Sequence, residues 1–166
     1  MKLDKNFFID NIKTLFYALI IAILIRSFLV QPFYIPSSSM EPTLLVGDRL
    51  FVTKYTYGYS KHSFPFSPPI LNKRIMYSIP ERGDVVVFKT PVDNRTDYIK
   101  RLIGLPGDEI QFIKGEIFIN NEKIKRKKIN NSQAIRCGKN LLETNAFEEE
   151  LPNGVKHVAV YNKAGT

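Results

Sequence analysis

Twelve residues without charge, Thr14-Leu-Phe-Tyr-Ala-Leu-Ile-Ile-Ala-Ile-Leu-Ile25, lie between Lys13 and Arg26. A helix that crosses a bilayer needs about 20 apolar residues, so this run alone is short. The wider stretch from Phe7 through Val30 is long enough if Lys13 and Arg26 extend their charged tips to the interface. A membrane anchor, a cleaved signal peptide and a buried core helix all fit the pattern, and the anchor is preferred. A signal peptide would end in a small-x-small cleavage site, whereas Arg26-Ser-Phe-Leu29 follows the apolar run. Lys2, Lys5 and Lys13 precede the span and only Arg26 follows it closely. By the positive-inside rule the N-terminus is then cytoplasmic, with everything after about residue 30 beyond the membrane.

After the helix the pattern changes. Residues 31–80 hold most of the chain's 10 prolines and no sustained 3.6-residue period. Short strands and loops are expected there. Asp48–Tyr55 alternates in part and is rich in β-formers, which predicts a strand. Residues 60–80, with Phe64-Pro-Phe-Ser-Pro-Pro69, predict an exposed excursion. Val85-Val-Val-Phe-Lys-Thr90, entered through Arg82-Gly-Asp84, has the short apolar run of a buried strand. Asp97–Ile103 is a further strand candidate, closed by Gly104-Leu-Pro-Gly-Asp108. Ile110–Ile113 and Glu116–Ile119 flank Lys114-Gly115 and predict a hairpin. The last forty residues are polar and weakly patterned.

Composition narrows the classes. With 166 residues, 44% hydrophobic and 24% charged, the chain can bury a sizeable core, as one domain or one domain plus an anchor. One cysteine, Cys137, excludes an internal disulfide framework, and His62 and His157 are too few for a histidine metal site. The net charge of +8 suits nucleic acid or an anionic membrane surface equally. Between Lys114 and Lys128 six basic residues stand against two acidic ones, and Lys125-Arg-Lys-Lys128 has no interleaved aromatics to stack bases. A solvated hairpin tip is the first expectation for this stretch, anionic lipid headgroups the second and nucleic acid a poor third.

Common hydrolase signatures are missing: no Gly-x-Ser-x-Gly, no His-Glu-x-x-His, no Ser-x-x-Lys. What remains is Ile35-Pro-Ser-Ser-Ser-Met-Glu-Pro-Thr-Leu44. Ser38 and Glu41 have capping-box spacing, so a helix start or turn accounts for these serines as well as catalysis does. The second locus is Tyr98-Ile-Lys-Arg101. On a strand, Tyr98, Lys100 and Leu102 share one face and Ile99, Arg101 and Ile103 the other. One basic residue must therefore point among apolar neighbours. A lysine shielded from water has its charged form disfavoured, and a neutral amine can take a proton from a serine hydroxyl.

These loci, taken together, resemble bacterial signal peptidase I, the leader peptidase of the Ser/Lys-dyad serine endopeptidases. The resemblance runs from the apolar helix with Arg26 through Phe33–Leu44, Gly47-Asp-Arg49 and Arg82-Gly-Asp-Val-Val-Val-Phe88 to Asp97-Tyr-Ile-Lys-Arg-Leu-Ile-Gly-Leu-Pro-Gly-Asp108. The blocks stand in the family's order and cover roughly residues 14–120. The resemblance implies Ser39 as nucleophile, Lys100 as general base and the Ser37 hydroxyl as an oxyanion donor. It also implies apolar pockets for small side chains at the first and third positions before the cut. The matching positions are Phe33, Ile35, Pro36, Met40, Leu44, Leu50, Val87, Tyr98 and Ile99.

On this resemblance the chain is a membrane-anchored serine endopeptidase that removes signal peptides from exported proteins, cutting after Ala-x-Ala. It would need neither metal nor organic cofactor. Its partners would be precursor signal peptides and membrane lipids, with no nucleic acid. It would lie in the bacterial inner membrane with its catalytic domain on the periplasmic side. The fold expected is mainly β: a cytoplasmic N-terminus (1–13), a transmembrane helix (14–30) and an antiparallel β catalytic domain (31–108, excursion 60–80). Residues 109–166 would begin an inserted second β domain. The family's Gly-Asp-Asn-Arg-x-x-Ser-like closing block is not found, so the fold is expected to be C-terminally incomplete. A specialised pilus- or transfer-system peptidase and an inactive signal-peptide-binding remnant are the alternatives.

Overall fold

The computed structural model describes residues 5–69, 71, 73–129, 134–137 and 140–162. Expectations for residues 1–4, for Ile70 and Asn72 of the excursion, and for 130–133, 138–139 and 163–166 lie outside the described residues, as does the Cys137 side chain. Two compact units form. Residues 1–33 with 50–79 make one, and residues 34–49 with 80–166 the other.

The first unit begins with helix α1, Lys5–Phe28, whose 24 residues rise about 36 Å at about 1.5 Å each. Its segment Phe7–Phe28 has a mean hydropathy of 1.9 and is exposed apart from Ser27 at its end, so it is long and apolar enough to cross a membrane. Leu15, Tyr17, Leu19 and Ile21 are all more than half exposed, so the helix is apolar around its circumference rather than along one stripe. Lys13 lies 3.6 Å from Asp10, which offsets its charge one turn away. The helix stops at Phe28, two residues before the expected end at Val30, because strand β1, Val30–Tyr34, follows at once. β1 pairs with β2, Arg49–Thr53, within the stretch predicted as a strand.

The excursion has a packed root and an exposed tip. The Phe28 ring meets Tyr59 and Phe64 edge-on, with centroids 5.7 and 5.5 Å away. The Tyr59 hydroxyl donates to the Phe28 carbonyl at 2.9 Å, and Lys54 Nζ donates to the Ser63 carbonyl at 2.6 Å. Further out, Phe66, Met76, Tyr77 and Ile79 are exposed.

The second unit is antiparallel throughout its described strands. β3, Val85–Lys89, pairs with β4, Asp97–Arg101, placing Val86 opposite Lys100 and Val87 opposite Ile99. β5, Ile110–Ile113, and β6, Glu116–Ile119, form the predicted hairpin, joined by the short β7, Glu122–Lys123. A further sheet contains β8, Lys125–Ile129, β9, Ala134–Cys137, β10, Asn140–Glu150, and β11, Lys156–Asn162. In it β10 lies between β11 and β8 and also pairs with β9. Ile119, Ile124 and Leu151 form a buried cluster against Ile103 and Ile117. The mainly β, antiparallel fold with an N-terminal apolar helix is the one expected.

Two local expectations change. The basic run 125–128 is not a hairpin tip but strand β8, and the turn sits at Lys114-Gly115. Across the ladder Lys125, Arg126 and Lys127 stand opposite Glu150, Glu149 and Glu148; Lys125 lies 3.5 Å from Glu150, and Arg126 pairs with Glu116 at 2.9 Å. Opposite charges in facing positions stabilise a strand pair and draw the run into the sheet. The weakly patterned tail supplies the longest described strand, whose apolar pairs Leu141-Leu142 and Ala146-Phe147 are separated by polar residues and form neither a run nor an alternation.

Candidate active site

The serine loop is built from the backbone upward. Ile35 is fully buried; its N–H donates to the Asp48 carbonyl and its own carbonyl accepts from Gly47, both at 3.0 Å. The Leu45 N–H donates to Asp48 Oδ2 at 2.8 Å, so Gly47-Asp48 forms a turn that closes the base of the loop. Gly47 has φ +101, where a side chain is strained. Between these anchors Ser38–Met40 forms a single 3-10 turn with Met40 buried.

Ser37 occupies the position before that turn, and its side chain makes no capping bond. Its Oγ instead lies 3.3 Å from Ser39 Oγ. The capping account of the serines therefore does not describe this loop. Ser39 is exposed, and Lys100 Nζ donates a hydrogen bond to Ser39 Oγ across 61 positions of sequence. Lys100 also sits over the Tyr98 ring, 5.7 Å from its centroid.

Strand alternation aims Lys100. On β4, Ile99 is 6% exposed and faces the interior, and the Tyr98 ring meets Phe88 edge-on at 6.2 Å. Arg101 points the other way from Lys100 and donates to the Gly83 carbonyl at 2.7 Å. The strand is held at its end by a clasp. Gly83 N–H donates to the Leu102 carbonyl at 2.7 Å, and Leu102 N–H returns a bond to Asp84 at 2.8 Å. Arg82 donates to the Ile103 carbonyl at 2.7 Å and forms an ion pair with Asp108 at 2.8 Å.

Asp108 is the centre of this clasp. It also accepts from the Leu105 N–H and from the Asn120 amide. Donation by the Arg82 guanidinium, then by Leu105 and Asn120, holds its carboxyl well below the usual carboxylate range. Gly83 has φ +99, and a Cβ there would lie 2.6 Å from Val155 Cγ1. Thus the Arg82-Gly-Asp84 and Gly104–Asp108 blocks are explained by the backbone bonds that position Lys100.

The expected pocket residues divide. Ile35, Met40 and Ile99 are buried, Leu44 and Val87 half-buried, and Pro36 and Tyr98 exposed, all in the second unit. Phe33 and Leu50 belong to the first unit, where both are half-buried.

One wall of the site is formed by residues that the sequence expectations do not include. A cavity of about 370 Å3 opens beside Ser39, between the Ser38–Glu41 turn with Thr43 on one side and Arg101 with β11 residues 157–161 on the other. Behind that wall, Glu149 is 1% exposed; Tyr161 donates its hydroxyl to Glu149 Oε1 at 2.5 Å, and His157 Nε2 lies 3.4 Å from Oε2. Burial, then the Glu149 carboxylate, pushes the Tyr161 hydroxyl far above its ordinary range. The usable signal was the alternation His157-x-Ala159-x-Tyr161, which reads as a strand face once Glu149 is known to lie opposite.

Comparison with known proteins bears on most of the chain. A family model described as "Signal peptidase, peptidase S26" matches residues 8–162. A protein named signal peptidase I from Rickettsia canadensis (strain McKiel) is 45% identical over 144 residues, covering 86% of this chain and 53% of that protein. Its counterparts from Rickettsia typhi (strain ATCC VR-144 / Wilmington) and Rickettsia felis (strain ATCC VR-1525 / URRWXCal2) are 44% and 46% identical over 140 and 143 residues. Each of these two alignments covers 83% of this chain, and 52% and 51% of the respective relative. The chain thus spans about half the length of the curated relatives it matches.

Proposed function

The chain belongs to the signal peptidase family, peptidase S26, and from that membership we propose that it is a membrane-anchored serine endopeptidase that removes signal peptides from exported proteins. The observation that carries the reading is the hydrogen bond between Lys100 Nζ and Ser39 Oγ, with Ser37 Oγ 3.3 Å from the same oxygen. A serine hydroxyl is a weak nucleophile until a base in hydrogen-bond reach takes its proton. Lys100 is the side chain bonded to Ser39 Oγ, and as a neutral amine its lone pair accepts along the same contact.

The reaction is acyl transfer in two halves. Lys100 takes the hydroxyl proton while Ser39 Oγ bonds to the carbonyl carbon of the residue before the cut. The negative charge moves to the carbonyl oxygen, which accepts from the Ser39 N–H and the Ser37 hydroxyl. Donors so placed are commonly worth about 10²–10³ in turnover. The C–N bond then breaks, and the departing amine receives the proton from Lys100. Water attacks the Ser39 ester next, Lys100 takes its proton, and Ser39 Oγ leaves with that proton returned.

Burial of Ile35, Met40 and Ile99 supports an apolar pocket for small side chains, in keeping with cleavage after Ala-x-Ala. The exposed apolar helix Phe7–Phe28 supports the anchor, and the basic residues before it support a cytoplasmic N-terminus with the peptidase unit outside.

The test is cleavage, in detergent, of a precursor with Ala at the first and third positions before the cut, by this chain and its Ser39→Ala variant. A cut at that site by the parent only is the expected result. A cut by both would remove Ser39 from the mechanism.

A further inference from the structure

We infer that the cavity between the Ser39 turn and β11 receives the first residues of the mature protein, the segment that follows the scissile bond, as an added strand on the free edge of β11. The inference rests on the peptidase reading above and assigns a second half to the same site. A nucleophile in acyl transfer must be flanked on both sides, by the acyl portion and by the leaving amine. Of the residues expected to form the acyl-side pockets, only Met40 lines this cavity. Its other lining groups mix Glu41, Thr43 and Arg101 with Val158, Ala159 and Val160, unlike the apolar and aromatic set expected on the acyl side. The space therefore adjoins Ser39 without duplicating the apolar pocket.

The strand geometry identifies how a peptide would bind. Successive side chains on a strand point to opposite faces, yet five successive residues, His157 to Tyr161, line the cavity. A cavity that touches every residue runs along the strand's edge rather than over one face. Among the described residues β11 is the last strand of its sheet and pairs only with β10. Its outer N–H and C=O groups are thus available for an extended peptide. The volume lies within the roughly 300–1,000 Å3 of ligand pockets.

The wall is also built to keep its shape. Opposite β11, the wholly buried Glu149 is held by the Tyr161 hydroxyl and faces the His157 ring, whose side chain is 8% exposed. Arg126 lies over the Phe147 ring at 4.6 Å and fixes the neighbouring strand from behind. Such a rigid edge limits the entropy lost when a flexible segment pairs with it.

The experiment uses the full Ser39→Ala chain in detergent, so that binding is read without turnover. Two labelled peptides are titrated by fluorescence anisotropy: one ending at the cleavage position, one beginning just after it. The mature-side peptide is expected to bind, and N-methylation along it to weaken binding about tenfold at alternate positions only, since strand pairing uses every second N–H. Ala159→Trp, which fills the cavity, and Thr43→Trp, from the exposed opposite wall, should each abolish this binding and spare the signal-side peptide. Retained signal-side binding with absent mature-side binding, or with mature-side binding indifferent to both variants or to the period of N-methylation, overturns the inference alone. Failure of both peptides to bind overturns the peptidase reading and this inference with it.

Discussion

Lys100 Nζ donates to Ser39 Oγ although the two residues are 61 positions apart, one on strand β4 and the other on a 3-10 turn. Arginine at position 100 stays charged and cannot act as a base. Lys100→Arg is expected to lower precursor turnover by about 10²–10⁴-fold, the usual worth of a general base. Steady-state cleavage at saturating precursor checks this, and a variant within a few-fold of the parent would exclude Lys100.

Ser37 Oγ stands 3.3 Å from Ser39 Oγ and caps no helix turn. Ser37→Ala should lower turnover by about 10²–10³-fold with little change in KM, because an oxyanion donor acts in the transition state. A rise in KM at constant turnover would instead mark Ser37 as a substrate-binding group.

Ile35 is fully buried, and its backbone holds the base of the serine loop. Ile35→Ala should cost about 2–5 kcal/mol of stability, the range for emptying a buried aliphatic site. Urea midpoints of the detergent-solubilised chain measure the loss, and an unchanged midpoint would contradict the packing described.

The Asp108 carboxyl is held below its ordinary range by Arg82, with Leu105 and Asn120 assisting. A group with a depressed folded pKa contributes stability that is complete above its unfolded value, about 3.9 for Asp, and is lost as pH falls toward the folded value. The stability gap between parent and Asp108→Asn should therefore be widest near neutral pH and shrink below about pH 4. Denaturant curves at several pH values read the gap, and a constant gap would show that the carboxylate is not responsible.

Gly83 combines φ +99 with a Cβ position only 2.6 Å from the Val155 side chain. Gly83→Ala should destabilise by about 1–3 kcal/mol and loosen the clasp that aims Lys100. A matching fall in turnover at temperatures where the fold persists would connect the clasp to Lys100. Full activity in a folded variant would separate them.

The elements legible beforehand share a short-range signal. Helix α1 is a continuous apolar run, and β3 and the β5–β6 hairpin show β-rich segments bounded by turn residues. The pattern predicts a helix over 14–30, whereas α1 spans Lys5–Phe28, beginning ahead of the uncharged run and ending before Val30, which is as apolar as the helix yet pairs in β1. The basic residues 125–128 suggest a tip in the sequence, which does not show that Glu148–Glu150 lie opposite them. The tail is weakly patterned for a similar reason: Glu149, His157 and Tyr161 acquire a shared meaning only in the β10–β11 register.

By itself the sequence determined the apolar helix, the order of short antiparallel strands and the residue types of a Ser/Lys pair. Those properties reside in local periodicity, turn chemistry and side-chain identity. Only the tertiary structure decided that Lys100 reaches Ser39, that Asp108 gathers the clasp behind β4, and that β11 forms the wall beside Ser39. Each of these depends on which strands pair and in which register, and register is set by the packing of distant segments rather than by any one of them.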